Sequence, residues 1–131
     1  MLAEDMRAQG LAMRLKVLGD QYVEEALGNA DDFTRPWQDF LNEHCWGSVW
    51  PRQGLSPKIR SMITLVALAS TGKFTELKAH TRGALRNGCT PDEIREIFMH
   101  LAVYAGVPTA VEAFRAAQPV IASFAAEGAQ K

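Results

Sequence analysis

Apolar residues along this chain recur at the three- and four-residue spacing of a helix, and they nowhere alternate long enough to make a strand. The first run, residues 1–19, is interrupted at Gly10 and closed by Gly19, and it predicts one helix with a weak point. A short helix follows over Asp20–Leu27, then a Gly-Asn-Ala-Asp-Asp turn at 28–32. Asp31 or Asp32 is placed to cap a third helix reaching about Cys45, with Phe33, Trp37, Phe40 and Leu41 on one face. The steady period stops between Trp46 and Leu55. Gly, Pro and two tryptophans there read as an ordered loop, because rings of that size are normally covered.

The second half is punctuated more plainly. Ser56-Pro57 supplies an N-cap with proline at the first helical position, and Gly72 closes that helix. Its middle, Met62 to Ala69, is apolar on nearly every side, which predicts burial in the core or against another subunit. The next helix runs from about Lys73 to Asn87 and stops at Gly88. Thr90-Pro91-Asp92-Glu93 is a capping box opening another, with Ile94, Ile97, Phe98, Leu101 and Ala105 as its inward stripe. Gly106-Val107-Pro108 turns the chain into a last helix reaching about Glu127, which Pro119 should kink. The fold class is all-α.

With 131 residues the chain is the size of a single domain, read as a helical extension over 1–30 and a core motif region over 46–118. Its 14 basic against 15 acidic residues leave a net charge of −1, which argues against nucleic-acid binding by bulk charge. No apolar stretch is long enough for a membrane span, and Met1-Leu2-Ala3-Glu4-Asp5 is no signal peptide. Cys45 and Cys89 form no CxxC or metal-like pair, so a reduced, cytoplasmic protein is expected. Hydrophobic residues make up 47%, more than one small helical core should need. The Met62–Ala69 helix and Ala113, Ala116, Ala117 and Ala122 carry that surplus, which predicts a homo-oligomer whose pocket a neighbouring subunit completes.

Among candidate chemical groups, His80 and His100 each follow a glutamate by one helical turn, Glu76 and Glu96. Such a pair orients the imidazole and raises its pKa, or is merely a solvated surface pair. Gly83, one turn past His80, leaves space for a ligand or for a packing helix. Glu76, His80 and His100 could supply the three ligands a metal needs, but no HExxH or Cys/His cluster appears, and no metal or cofactor is expected. Cys45 faces away from its neighbour His44, and Cys89 sits in a turn, so neither reads as a nucleophile. Arg52, Arg60, Arg82 and Arg86 suit an anionic substrate if they gather near an acid–base pair.

From Trp46 to Gln118 the chain resembles the carboxymuconolactone decarboxylase family, in its decarboxylase branch. The resemblance rests first on Trp46-Gly47, Trp50, Arg52, Gly54-Leu55 and Arg60-Ser61. It continues through Glu76-Leu77, His80, Arg82, Ala84, Asn87-Gly88, Glu93-Ile94, Glu96, His100, Tyr104, Gly106 and Pro108. It implies an alkylhydroperoxidase D-like helical subunit assembling into rings, as trimers or hexamers. The peroxidase branch of that superfamily carries a CxxC pair ahead of its histidine. Here His80 matches the histidine, but Lys73 and Glu76 stand at the cysteine positions, which removes cysteine-pair peroxidase chemistry.

The reaction the resemblance implies is cofactor-free conversion of 4-carboxymuconolactone to the β-ketoadipate enol-lactone and CO2, in protocatechuate breakdown. His80 is then the expected proton donor or oxyanion partner, with Glu76 orienting it. Arg52 or Arg60 would hold the retained acetate, Trp46 and Trp50 would supply dry walls, and His100 and Tyr104 are secondary contacts. The alternatives are a lactone hydrolase, a decarboxylase of a related keto acid, or a non-catalytic helical ligand-binding oligomer.

Overall fold

The computed structural model describes residues 2–129; Met1, where the N-terminal reading begins, and residues 130–131 lie outside them. The described residues are all helix and connecting turns, and they fall into two compact units that divide between Ser56 and Pro57.

The first unit holds α1 (Ala3–Leu18), α2 (Asp20–Gly28) and α3 (Arg35–Phe40), which continues into a π-helical turn over Leu41–Cys45. Gly19, at φ 89°, separates α1 from α2 in a conformation that side-chain-bearing residues avoid. Gly10 does not interrupt α1. It is buried where α1 crosses the π-helical turn, and a Cβ there would overlap the Asn42 carbonyl oxygen and stand 2.8 Å from the Gly47 nitrogen. Gly47 is the matching gap, since its Cβ would overlap the Met6 carbonyl oxygen. The glycine that looked like a helix breaker is therefore a close-approach site between two backbones.

Polar groups reinforce the same crossing. Arg14 is buried and donates through Nη1 to Gln38 Oε1 at 2.8 Å and to the buried Asn42 Oδ1 at 3.1 Å. Arg7 pairs with Glu43 at 3.4 Å. Asp31 rather than Asp32 orders the approach to α3. Its Oδ1 accepts from the backbone nitrogens of Phe33 and Thr34, both at 3.0 Å, and these bonds hold the carboxyl below its usual range. The aromatic face of this helix points outward. Phe33 is 90% exposed, and Trp37 and Phe40, stacked at 5.6 Å, are each about half exposed.

The second unit is built from α4 (Pro57–Ser70), α5 (Phe74–Arg86), α6 (Pro91–Ala105) and α7 (Val107–Ala129). Helix α5 packs on α4 and α7, and α6 packs on α7 and α4. Leu65, Leu77, Ile94, Phe98 and Leu101 fill the centre, and Phe98 meets Phe114 edge-on at 5.4 Å. The capping box of α6 is closed both ways: Glu93 N donates to Thr90 Oγ1 at 3.1 Å, and Thr90 N donates to Glu93 Oε1 at 2.9 Å. Helix α7 runs on through Pro119 to Ala129.

Two sequence expectations change here. Ala105 is exposed, so the inward stripe of α6 ends at Leu101, where the helix reaches the edge of the core. Ala113, Ala116 and Ala117 are buried within this unit, where their small size lets α7 approach its neighbours; only Ala122 is exposed. Helix α4 buries Ser61, Leu65 and Ala69 in the core, and of the two alternatives for its apolar sides, core or another subunit, the core does not cover Ile59, Ile63 and Val66.

Candidate active site

Helix α5 carries the principal candidate. Leu77, Ala84 and Leu85 anchor it in the core. The fully buried Thr81 returns its hydroxyl to the Leu77 carbonyl at 2.7 Å, so burying that turn leaves no hydroxyl unsatisfied. His80 therefore sits on a rigid turn. Burial pushes its pKa down to about 4, which keeps the imidazole neutral at pH 7. The sequence left two alternatives, a pKa raised by Glu76 or a solvated surface pair, and the lowered pKa fits neither. Glu76 lies on the exposed side of α5, and the loss of hydration outweighs any carboxylate at His80. A neutral imidazole offers an N–H donor and a lone pair, and no charge.

Arg60 is half-buried in the first part of α4. Its carbonyl accepts from Thr64 Oγ1 at 2.7 Å. The next residue, Ser61, is fully buried and accepts at Oγ from Asn87 Nδ2 at 2.9 Å, and the same nitrogen reaches the Pro57 carbonyl at 3.3 Å. This brace fastens the start of α4 to the end of α5. Sequence reasoning quoted Arg60-Ser61 and Asn87-Gly88 as separate fragments. Their hydrogen bond spans 26 positions, and no local period reveals it.

Arg82 is committed elsewhere. Its Nη1 binds both carboxylate oxygens of Glu127 at 2.9 and 2.8 Å, its Nη2 donates to Ser123 Oγ at 3.0 Å, and its guanidinium lies 6.0 Å from the Phe124 ring centre. It ties α5 to α7. The rings of His100 and Tyr104 meet in a tilted contact, centroids 5.0 Å apart, on the exposed side of α6, Tyr104 being 80% exposed. Neither is brought to the α5 imidazole by a ring contact or hydrogen bond among the described residues.

In the first unit, Trp46 and Trp50 are buried and stacked at 4.9 Å, so the tryptophan loop is ordered as expected. Arg52 follows on that loop and is exposed, its backbone nitrogen bonded to the Val49 carbonyl at 3.1 Å. Among the described residues no three His, Cys, Asp or Glu side chains gather as a metal ion would require. No described helix is long and apolar enough to cross a membrane. A cleft of about 290 Å³ between α6 and α7, lined by Ile94, Arg95, Phe98, Phe114 and Ile121, contains none of the candidate residues.

The all-helical chain thus carries a neutral imidazole on α5 and an arginine on a segment of α4 that is fastened to the end of α5. The chain belongs to the carboxymuconolactone decarboxylase family, whose sequence model matches residues 35–119. It is 46% identical over 123 residues to the nitrosuccinic acid decarboxylase of Metarhizium robertsii, covering 94% of this chain and 86% of that protein. It is 38% identical over 117 residues to the 4-carboxymuconolactone decarboxylase of Acinetobacter baylyi, covering 89% and 87%. An uncharacterized 15.0 kDa protein of Paracoccus denitrificans matches at 33% over 82 residues, 61% of each chain. The protein is a carboxy-lyase of this family.

Proposed function

We propose that this chain decarboxylates 4-carboxymuconolactone to the β-ketoadipate enol-lactone without a cofactor, as a step in protocatechuate breakdown. The departing carboxylate of that compound sits on a carbon conjugated through C=C to the lactone carbonyl. The ring itself takes up the electron pair, and no external sink is required. The catalytic task is to stabilise the oxygen on which charge collects and to see the carbon protonated.

The observation that carries the reading is the placement of His80 on the core-anchored turn of α5, where loss of hydration keeps its ring neutral. An imidazole with a pKa near 4 is a poor reservoir of protons at pH 7 but a good hydrogen-bond donor to a developing oxyanion. Of the two roles expected for His80, this favours the oxyanion partner. Glu76, one turn earlier on α5, orients the ring in this reading, and Arg60 on the neighbouring α4 holds the retained acetate. Purified protein is expected to release CO2 from 4-carboxymuconolactone. His80→Ala should lower kcat by roughly 100- to 10,000-fold with the helical circular dichroism unchanged. Wild-type turnover by that variant would remove His80 from the mechanism.

A second substrate is favoured by the 46% identity to the nitrosuccinic acid decarboxylase. Nitrosuccinate, whose nitro group takes the electron pair, belongs in the same assay. Assembly into a homo-oligomer is part of the proposal. It is supported by the exposed apolar faces at Ile59, Ile63 and Val66 and at Met99, Val103 and Val107. A monomeric mass by light scattering would overturn it.

A further inference from the structure

The substrates named for the two decarboxylase relatives differ in their reactive groups and share a skeleton. In nitrosuccinic acid one carbon bears a nitro group, a carboxyl group and a carboxymethyl arm. In 4-carboxymuconolactone the carbon that bears the departing carboxylate also bears a carboxymethyl arm, and an unsaturated lactone replaces the nitro group. In each case the bond to the carboxylate breaks and its electron pair moves onto an oxygen of the nitro group or lactone. CO2 then leaves, and one proton is added to the carbon framework. The constant feature is the arm, a retained carboxylate one methylene away from the reacting carbon.

We infer that this chain selects its substrates by that arm rather than by the electron sink, with Arg60 taking the arm's carboxylate. Its substrate class is then the succinates that carry an electron-accepting group on C2. The inference rests on the decarboxylase reading above and narrows it.

The placement of Arg60 supports this. The Asn87–Ser61 and Asn87–Pro57 hydrogen bonds, at 2.9 and 3.3 Å, fasten its segment of α4 to the end of α5, the helix that carries His80. Arg60 and His80 thus stand on two helices packed on each other, not on a loop, which is the kind of mounting that a fixed anchor point requires. His80 has no charge to offer a carboxylate, whereas a guanidinium binds one through two parallel hydrogen bonds. Arg82, on α5 itself, is already bound to Glu127. An arm held at a fixed point keeps the breaking bond at right angles to the plane of the sink, where orbital overlap is largest, whether the sink is nitro, lactone or ketone. Its binding energy is then expressed in turnover as well as in affinity.

The test compares two β-keto acids. 2-Acetylsuccinate has the arm and a ketone sink found in neither named substrate; losing CO2 gives 4-oxopentanoate. 2-Methylacetoacetate has a methyl group in place of the arm. With the purified full chain, CO2 release above the uncatalysed rate is expected from 2-acetylsuccinate. The kcat/KM for 2-methylacetoacetate should be lower by roughly 100-fold or more, with much of the loss in kcat. Arg60→Ala should shrink that ratio to within about threefold, and Arg60→Lys should restore part of it. Equal rates on the two keto acids would overturn the inference. So would turnover of 4-carboxymuconolactone with none of 2-acetylsuccinate or nitrosuccinate, a result that leaves the decarboxylase reading standing. Collapse of the ratio in Arg52→Ala but not in Arg60→Ala would overturn the assignment to Arg60. Release of CO2 from none of the four acids would end both the inference and the reading beneath it.

Discussion

Helix α1 of the first unit meets its neighbour through backbone, at Gly10 and Gly47, whereas the helices of the second unit meet through side chains such as Leu65, Leu77, Ile94 and Phe98. The two units also bury ionisable groups differently. Arg14 is a cation that does not give up its proton, and it is buried against amide oxygens of Gln38 and Asn42. His80, in the second unit, is partly buried and is accommodated by losing its charge. A backbone contact has no rotamers with which to absorb an added atom, while a side-chain core relaxes around a missing one. The first unit should therefore be intolerant of addition and the second graded in its response to removal.

The sharpest test of that contrast is a pair of single-methyl changes. Gly10→Ala adds one methyl group where a Cβ overlaps the Asn42 carbonyl oxygen, and it should cost at least about 3 kcal/mol. Ile94→Val removes one methyl group from the centre of the second unit and should cost only about 1 kcal/mol. Urea denaturation of both variants measures the difference, and equal costs would break the comparison.

A comparable effect should attend the charging of His80. Its folded pKa of about 4 lies below the ordinary 6.5, so as pH falls the unfolded chain takes up the proton first. The contribution to stability is complete above pH 6.5, declines between 6.5 and 4, and is lost below 4, a change of about 3 kcal/mol. Carboxylates elsewhere titrate in part of the same range. The quantity to measure is therefore the difference between wild type and His80→Gln in urea midpoints at pH 7.5 and pH 4.5. A difference that stays constant across that range would show that the ring is not held neutral by burial.

Local chemistry made much of the fold readable in one dimension. The Thr90–Glu93 capping box, the glycines at 72, 88 and 106, and the 94–98–101 stripe depend on residues within a turn or two of each other, and each appears where the pattern places it. The same is true of the covered tryptophans, because a large ring in a patterned loop has few other places to go. The outward aromatics Phe33, Trp37 and Phe40 defeat that reasoning, since helical spacing defines a face without saying which way the face points. At the candidate site, the residue types were readable and their states were not. Glu76 and His80 are one turn apart in any helix, yet the direction of the imidazole's pKa depends on how many atoms exclude water from it.

Periodicity, caps and glycine punctuation were thus enough to set the helical class, the order and nearly all the ends of the helices, because those features act over four or five residues. Tertiary structure alone decided that Gly10 joins rather than breaks, that Arg82 serves Glu127, that Asn87 braces the segment carrying Arg60, and that His80 is neutral. Each of those outcomes is set by atoms distant in the chain, through hydrogen-bond geometry and through desolvation, which no local pattern encodes.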